Sequence, residues 1–391
     1  MKKFILLAVA TFVLFLSCKN KTDFESINAN ELFSLSYGKF DDELNMFALS
    51  TVGSMHTNMT MRDGFFYIAN GEAKKIMEMN SYGDLLTLFY NASENEQNAN
   101  TSSQKKLIRY PFNNLGPIAA DSRKYVYVAS EVPKERQEKE AGFLYNQVVL
   151  KFSRDGENED FIGQQGLGSM PFPFIKNIYT TRRDELVVVC VSPDGLIAYW
   201  FSEAGKLLYE TTIVAKELPP LKDNANAVAS MPEAIPDCEE RKIYVKADYY
   251  APRIDLDSKA ETGIDFVETK LYTLNIEKGA YDEGIIIPPY EETVSKEYDK
   301  LVFRLPYDFL GSVKDGWLFF MISNDKGFSV QAVNLASGEI ISRNILLSHK
   351  DLLYSSFALS DAGILSALLI NDDKAHVVWY HFDTLLASLL K

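Results

Sequence analysis

Four histidines, His56, His349, His376 and His381, are weighed first, because imidazoles at ligand spacing would mark a transition-metal centre. No two of them form an H-E-x-x-H pair. His376 and His381, five apart, point to opposite faces of an extended strand. Carboxylates could instead hold a hard cation, with Glu233 and Asp237 as candidates. In a chain with 54 acidic residues, however, such a pair means little without several further converging oxygens. The stretch 163–168 has the glycines of a phosphate loop but lacks the lysine and following helix that would complete one. Ser192-Pro193-Asp194-Gly195 reads as a β-turn. Cys190 lies in the apolar run 186–190, where a buried free thiol is expected in preference to a bond with Cys238. These residues assign no catalytic group, metal ligand or cofactor.

The remaining cysteine, Cys18, has a different setting. Lys2 and Lys3 precede an apolar run over 4–16, interrupted only by Thr11, which ends at Ser17-Cys18 before Lys19-Asn20-Lys21. This is the layout of an export signal, and the run is too short to cross a hydrocarbon core, which takes about 20 apolar residues. Phe15-Leu16-Ser17-Cys18 resembles a bacterial lipobox. That resemblance implies cleavage after residue 17, acylation of Cys18 by palmitate-type chains and attachment to a lipid bilayer in the cell envelope, on its periplasmic or surface side. The expected organisation is a signal peptide over 1–17, a lipidated tether over 18–40 and one folded domain over 41–391. The formal charge of −14 becomes two units more negative once Lys2 and Lys3 leave with the signal. So acidic a domain repels phosphate polymers, and nucleic acid is excluded as a partner.

What would position any site is a repeat. A β-branched or aromatic run, a short loop, a second run, a tight glycine-containing turn and a third run recur about every 40 to 60 residues. The clearest copy covers 177–210 and shows four strands. Others cover 64–89, 117–163, 234–287, 309–342 and 357–380. Six four-stranded units without a Pro- or Gly-rich linker predict an all-β, six-bladed β-propeller in preference to a β-sandwich. The sixth unit lacks a fourth strand, so an N-terminal strand is expected to close the last blade, with 43–49 as donor. Trp200, Trp317 and Trp379 fall in second or third strands, where blade packing needs bulk, and are expected in the core.

The stretch 161–172, with Gly163, Gly166, Gly168 and Pro171, together with Ile178-Tyr179 and Leu186-Val187-Val188, resembles the NHL repeat. The resemblance covers about one blade and its linker. It implies the six-bladed fold and, with the lipobox, a likeness to propeller lipoproteins of double-membraned bacteria. Six-bladed propellers that act as lactonases hold calcium with channel carboxylates, so a channel-centred hydrolase or lyase is the alternative to a binding scaffold.

The long connections, 91–110, 131–146, 214–230, 249–268 and 288–307, all join second to third strands or one blade to the next, and are expected on one face. Insertions gathered on one face of a repeat protein mark its binding face. Two of them, 91–106 and 131–140, are polar enough to be solvated loops. The other segments and the blade linkers supply Arg109, Tyr110, Phe112, Phe172, Phe174, Tyr249, Tyr250, Arg253, Tyr290, Arg304 and Tyr307 as candidate contacts for an envelope protein or glycan, since aromatics and arginine dominate binding hot spots. Nothing in the sequence dictates an oligomer.

Overall fold

The computed structural model describes residues 25–46, 56–93, 105–140, 142–255, 257–296 and 299–389. Six blades ring a central axis, antiparallel but for the outermost strand of blade one, Lys106–Arg109, which pairs in parallel with Leu85–Tyr90; their innermost strands are Thr57–Arg62, Leu115–Ala120, Phe174–Thr180, Glu233–Pro236, Asp308–Val313 and Tyr354–Leu359. The chain is a six-bladed β-propeller.

The third blade shows why the sequence folds this way. Leu186–Ser192 is apolar without alternation because a blade is covered on both faces. Val187 and Val189 enter the core shared with blade four, while Val188 and Cys190 enter the core shared with blade two. There are six such apolar cores, one between each neighbouring pair of blades, including the pair formed by blades six and one. Trp200 and Trp317 are buried and Trp379 half-buried, all within these cores. Cys190 and Cys238 are free thiols.

An N-terminal strand does close the ring, but it is Ala29–Leu35 rather than 43–49. It pairs antiparallel with Ala375–His381, setting Phe33 opposite Val377 and Leu35 opposite Ala375. The folded body therefore includes part of the stretch expected as tether. Residues 43–46 form no strand: Leu44 and Met46 are buried as packing between blades six and one, and 47–49 lie outside the described residues. Both segments carry spaced apolar residues, but Ala29–Leu35 offers seven consecutive extended residues, whereas Asp41-Asp42 turns the chain just before Leu44.

Because strands alternate in direction, the turns between strands one and two and between strands three and four share one face. The described parts of all five long connections emerge on the other. Three hairpins were not legible beforehand. Glu138–Glu140 pairs with Phe143–Tyr145 inside a segment expected to be a solvated loop. Tyr290–Lys296 pairs with Asp299–Leu305 between blades four and five. In blade four, strands two and three run on together as Lys242–Ile254 and Glu261–Asn275, so an arm projects about six residues, or roughly 20 Å, past the body.

Candidate functional site

Two places could bind something: the axis and the long-loop face. The axial cavity has a volume of about 320 Å³ and is lined by the second halves of the innermost strands, so it lies toward the short-turn face. That mouth is crossed by charge. Arg182 Nε, in the first turn of blade three, reaches 3.3 Å from Asp361 on the opposite blade, and its Nη1 lies 2.9 Å from Glu239 of blade four. Arg62, beside the tight Asp63-Gly64 turn of blade one, approaches the same Asp361 oxygen at 3.7 Å. Positive φ at both Asp63 and Gly64 gives that hairpin its two-residue turn.

The acids considered for a channel metal are committed elsewhere. Glu233 accepts the Phe309 N–H at 2.8 Å and sits 3.8 Å from the buried ammonium of Lys246. Burial pushes its carboxyl up, opposed by Lys246 and the Phe309 N–H. Asp237 accepts from Tyr244 Oη at 2.8 Å and from the N–H groups of Glu239 and Glu240. Among the described residues no three His, Cys, Asp or Glu side chains are placed to hold a metal ion together. These residues do not fit a calcium centre. His376 pairs with Glu31 at 2.8 Å and His381 with Asp383 at 3.2 Å, each on its own side of the strand.

Cys238 lines the axial cavity, and burial pushes its thiol up to about 12. The thiolate is the reacting species, so native protein at pH 8 is expected to leave both Cys238 and the buried Cys190 unmodified by iodoacetamide, with both alkylated in denaturant. Mass spectrometry of the two peptides checks this. Rapid native labelling of Cys238 would show an axis more open than the geometry gives.

The residues expected on the long-loop face divide into two groups. Phe172, Tyr249 and Tyr307 are buried and unavailable to a partner. Phe172 packs edge-on to Tyr199 and Phe201 between blades two and three, Tyr249 hydrogen-bonds Tyr272 and the Pro219 carbonyl, and Tyr307 stacks edge-on against Tyr290. Phe112 and Tyr290 are likewise buried, and Tyr110 lies half-buried on Phe112. Aromatic bulk at a blade junction is thus spent on packing. The others reach the surface: Phe174 is exposed, Arg109 donates to Tyr90 Oη at 3.0 Å, Arg253 pairs with Asp265, and Arg304 pairs with Glu291 at 3.4 Å.

On the arm, Tyr250 stands among side chains that residue type alone did not single out. Tyr250, Pro252 and Ile254 share one face with Phe266 and Ile264 on the partner strand, and Val228 pairs beside Tyr250. Tyr250 and Phe266 meet edge to face at 5.8 Å, while Val228 and Ile264 are 69% and 72% exposed. The opposite face carries the Arg253–Asp265 ion pair. The second hairpin repeats the pattern in part: Leu301, Phe303 and Leu305 are exposed on one face, and Arg304 shares the other with the exposed Val302. The signal that could have found the arm was the spacing of Tyr250, Pro252 and Ile254, whereas Val302 breaks the alternation through 301–305.

No protein-family model and no curated protein matches the chain. It is similar to several solved structures. The gluconolactonase XC5397 from Xanthomonas campestris is 9% identical, with a TM-score of 0.41 over 83% of this chain and 86% of that one. The polysaccharide lyase Uly1 is 7% identical, with a TM-score of 0.42 over 91% and 99%. A glucose dehydrogenase is 12% identical, with a TM-score of 0.42 over 90% and 98%. Similarities of this size say nothing of activity, and the six-bladed assignment rests on the sheets and the six cores between them.

Proposed function

We propose that this chain is a lipid-anchored, NHL-like propeller of the cell envelope that grips an envelope protein or glycan with the hairpin arms of its long-loop face. The observation that carries the reading is the blade-four arm, which holds an uncovered apolar face well beyond the ring. An apolar patch held out on a rigid ring is costly to leave in water and is typical of an interaction surface. The NHL likeness is supported by the link between blades two and three. There Gly163 lies so close to the Met170 and Ser169 carbonyls that a Cβ would meet them at 2.4 and 2.5 Å, and Phe172 anchors the crossing in the core.

The anchor is compatible with the fold. Glu25 accepts the backbone N–H of Asn344 on the outer strand of blade five. The chain from Cys18 to Glu25 spans at most about 25 Å. An acylated Cys18 would hold that flank of the ring against a bilayer and leave the arms free to one side.

The test replaces 251–265 by Asn-Gly, which joins the paired residues Tyr250 and Phe266 through a two-residue turn and leaves the blade intact. In crosslinking pull-downs from native envelope, one defined partner should be captured by the intact protein and lost from the shortened one at unchanged melting temperature. Cys18→Ser should move the protein from the membrane to the soluble fraction. Equal capture by both proteins would remove the arm from the proposal, and unchanged membrane association of Cys18→Ser would remove the lipid.

A further inference from the structure

The axial cavity, at the end of the ring away from the arms, contains one charged group whose bonding the protein leaves incomplete. Arg62 ends the innermost strand of blade one, and among the described residues it is the only lysine, arginine or histidine that lines the cavity. Its guanidinium approaches Asp63 and Asp361 only to 3.7 Å, beyond hydrogen-bond length, and donates to no other described residue. Nε is sealed from solvent without a partner. The two Nη groups are not sealed, and the side chain keeps 14% of its exposure, so the open part of the fork is its end-on edge. Holding an arginine mostly buried with its N–H donors unspent is costly, and an acceptor that reached Nη1 and Nη2 together would offset part of that cost.

The acids around it decide what charge that acceptor can carry. Asp237 is engaged by Tyr244 Oη and two backbone N–H groups, Asp361 by Arg182 Nε at 3.3 Å, and Asp63 stands well exposed at its turn. Arg62 is thus the one buried charge of the cavity without a close counter-ion. A single negative charge matches it, whereas a second would lie among three carboxylates with no cation left to meet it. The remaining polar lining suits hydroxyl groups. Thr60, two residues and about 7 Å back along the same side of the strand, has a hydroxyl with no partner among the described residues. Asn177 of blade three donates its amide to Tyr179 Oη at 3.0 Å, and its carbonyl oxygen is unspent among the described residues.

We infer that the axial cavity binds a small hydroxylated monocarboxylate, its carboxylate held end-on by Arg62 and its hydroxyls met by Thr60 and Asn177. The volume of about 320 Å³ suits a molecule of about a dozen non-hydrogen atoms. Entry is from the short-turn face, past the half-exposed side chain of Arg182. This site shares no residue with the arms and does not depend on what they grip.

The experiment titrates galactonate, galactonamide, hexanoate and inorganic phosphate at pH 8 into the full chain carrying Cys18→Ser, by calorimetry. Galactonate should bind, and its uncharged amide, alike in size and hydroxyls, should bind at least tenfold more weakly. Hexanoate, which lacks the hydroxyls, and phosphate, whose second charge has no partner, should each fall short of galactonate by at least tenfold as well. Arg62→Met should weaken galactonate at least tenfold and leave acid and amide equal. The protein with the shortened arm should bind galactonate as the parent does. Absence of galactonate binding, equal binding of the amide, hexanoate or phosphate, survival of the acid-over-amide preference in Arg62→Met, or loss of binding with the arm would each overturn the assignment. Should Arg62→Met fail to fold, Arg62→Lys takes its place: it keeps the charge and loses the fork, so the preference for acid over amide should shrink, and an undiminished preference would overturn the assignment.

Discussion

A chain begun at residue 36, without the strand Ala29–Leu35, should fail to fold as a stable monomer. Phe33 packs edge to face on Phe66 at 5.6 Å, and Phe33 and Leu35 both belong to the core between blades six and one. Truncating a buried phenylalanine alone costs about 3 to 5 kcal/mol. The shortened chain loses in addition Leu35 and the backbone pairing to Ala375–His381, and exposes that strand as an open edge for association with other copies. A chain begun at residue 25 keeps the strand and serves as the control. Thermal melts by circular dichroism with size-exclusion chromatography should show the control cooperative and monomeric, and the shorter chain strongly destabilised and associated. If both melted alike, ring closure by the N-terminus would not contribute to stability, and the core between blades six and one would hold without Phe33 and Leu35.

The strand that closes the ring also shows what the sequence could and could not carry. The blade count, the four-strand frame of 177–210 and the gathering of long connections on one face follow from local patterns of apolar runs and glycine turns, and the sheets bear them out. Choosing Ala29–Leu35 over 43–49 depends on which segment reaches the free edge of Ala375–His381 in register, more than 340 residues along the chain. No local pattern encodes that. The candidate surface failed in a similar way. Phe172, Tyr249 and Tyr307 have the residue types of binding hot spots and lie in the expected segments, but a ring of blades has six seams to fill and these side chains fill three of them. Ile264, Val228 and Phe303 are ordinary apolar residues until the hairpins that hold them out in solvent are known.

The short-turn face holds a buried carboxylate whose contribution to stability should respond to pH. Glu185, at the end of the first turn of blade three, is buried and accepts Trp200 Nε1 at 2.8 Å and Arg241 Nε, from the corresponding turn of blade four, at 3.1 and 3.2 Å. Burial pulls its carboxyl up, but the hydrogen bonds from Arg241 and Trp200 outweigh it and hold the group below its ordinary value. Its contribution to stability is therefore present above the unfolded carboxylate range and is lost as pH falls through the lower folded value. In Arg241→Leu the largest opposing effect is gone and burial prevails, so the charged form becomes a liability at neutral pH that protonation relieves. Removing one partner of a fully buried pair costs about 3 to 5 kcal/mol, and because the Arg241 side chain is about a third exposed, roughly 2 to 3 kcal/mol is expected at pH 7. Denaturant unfolding at pH 7 and pH 4.5 should show the deficit of Arg241→Leu against the parent shrinking at the lower pH. A deficit that stayed constant would mean that Arg241 supports the seam by packing alone. The ion pairs of Arg182 with Glu239 and Asp361 lie on this same face, so the short turns lock neighbouring and opposite blades together.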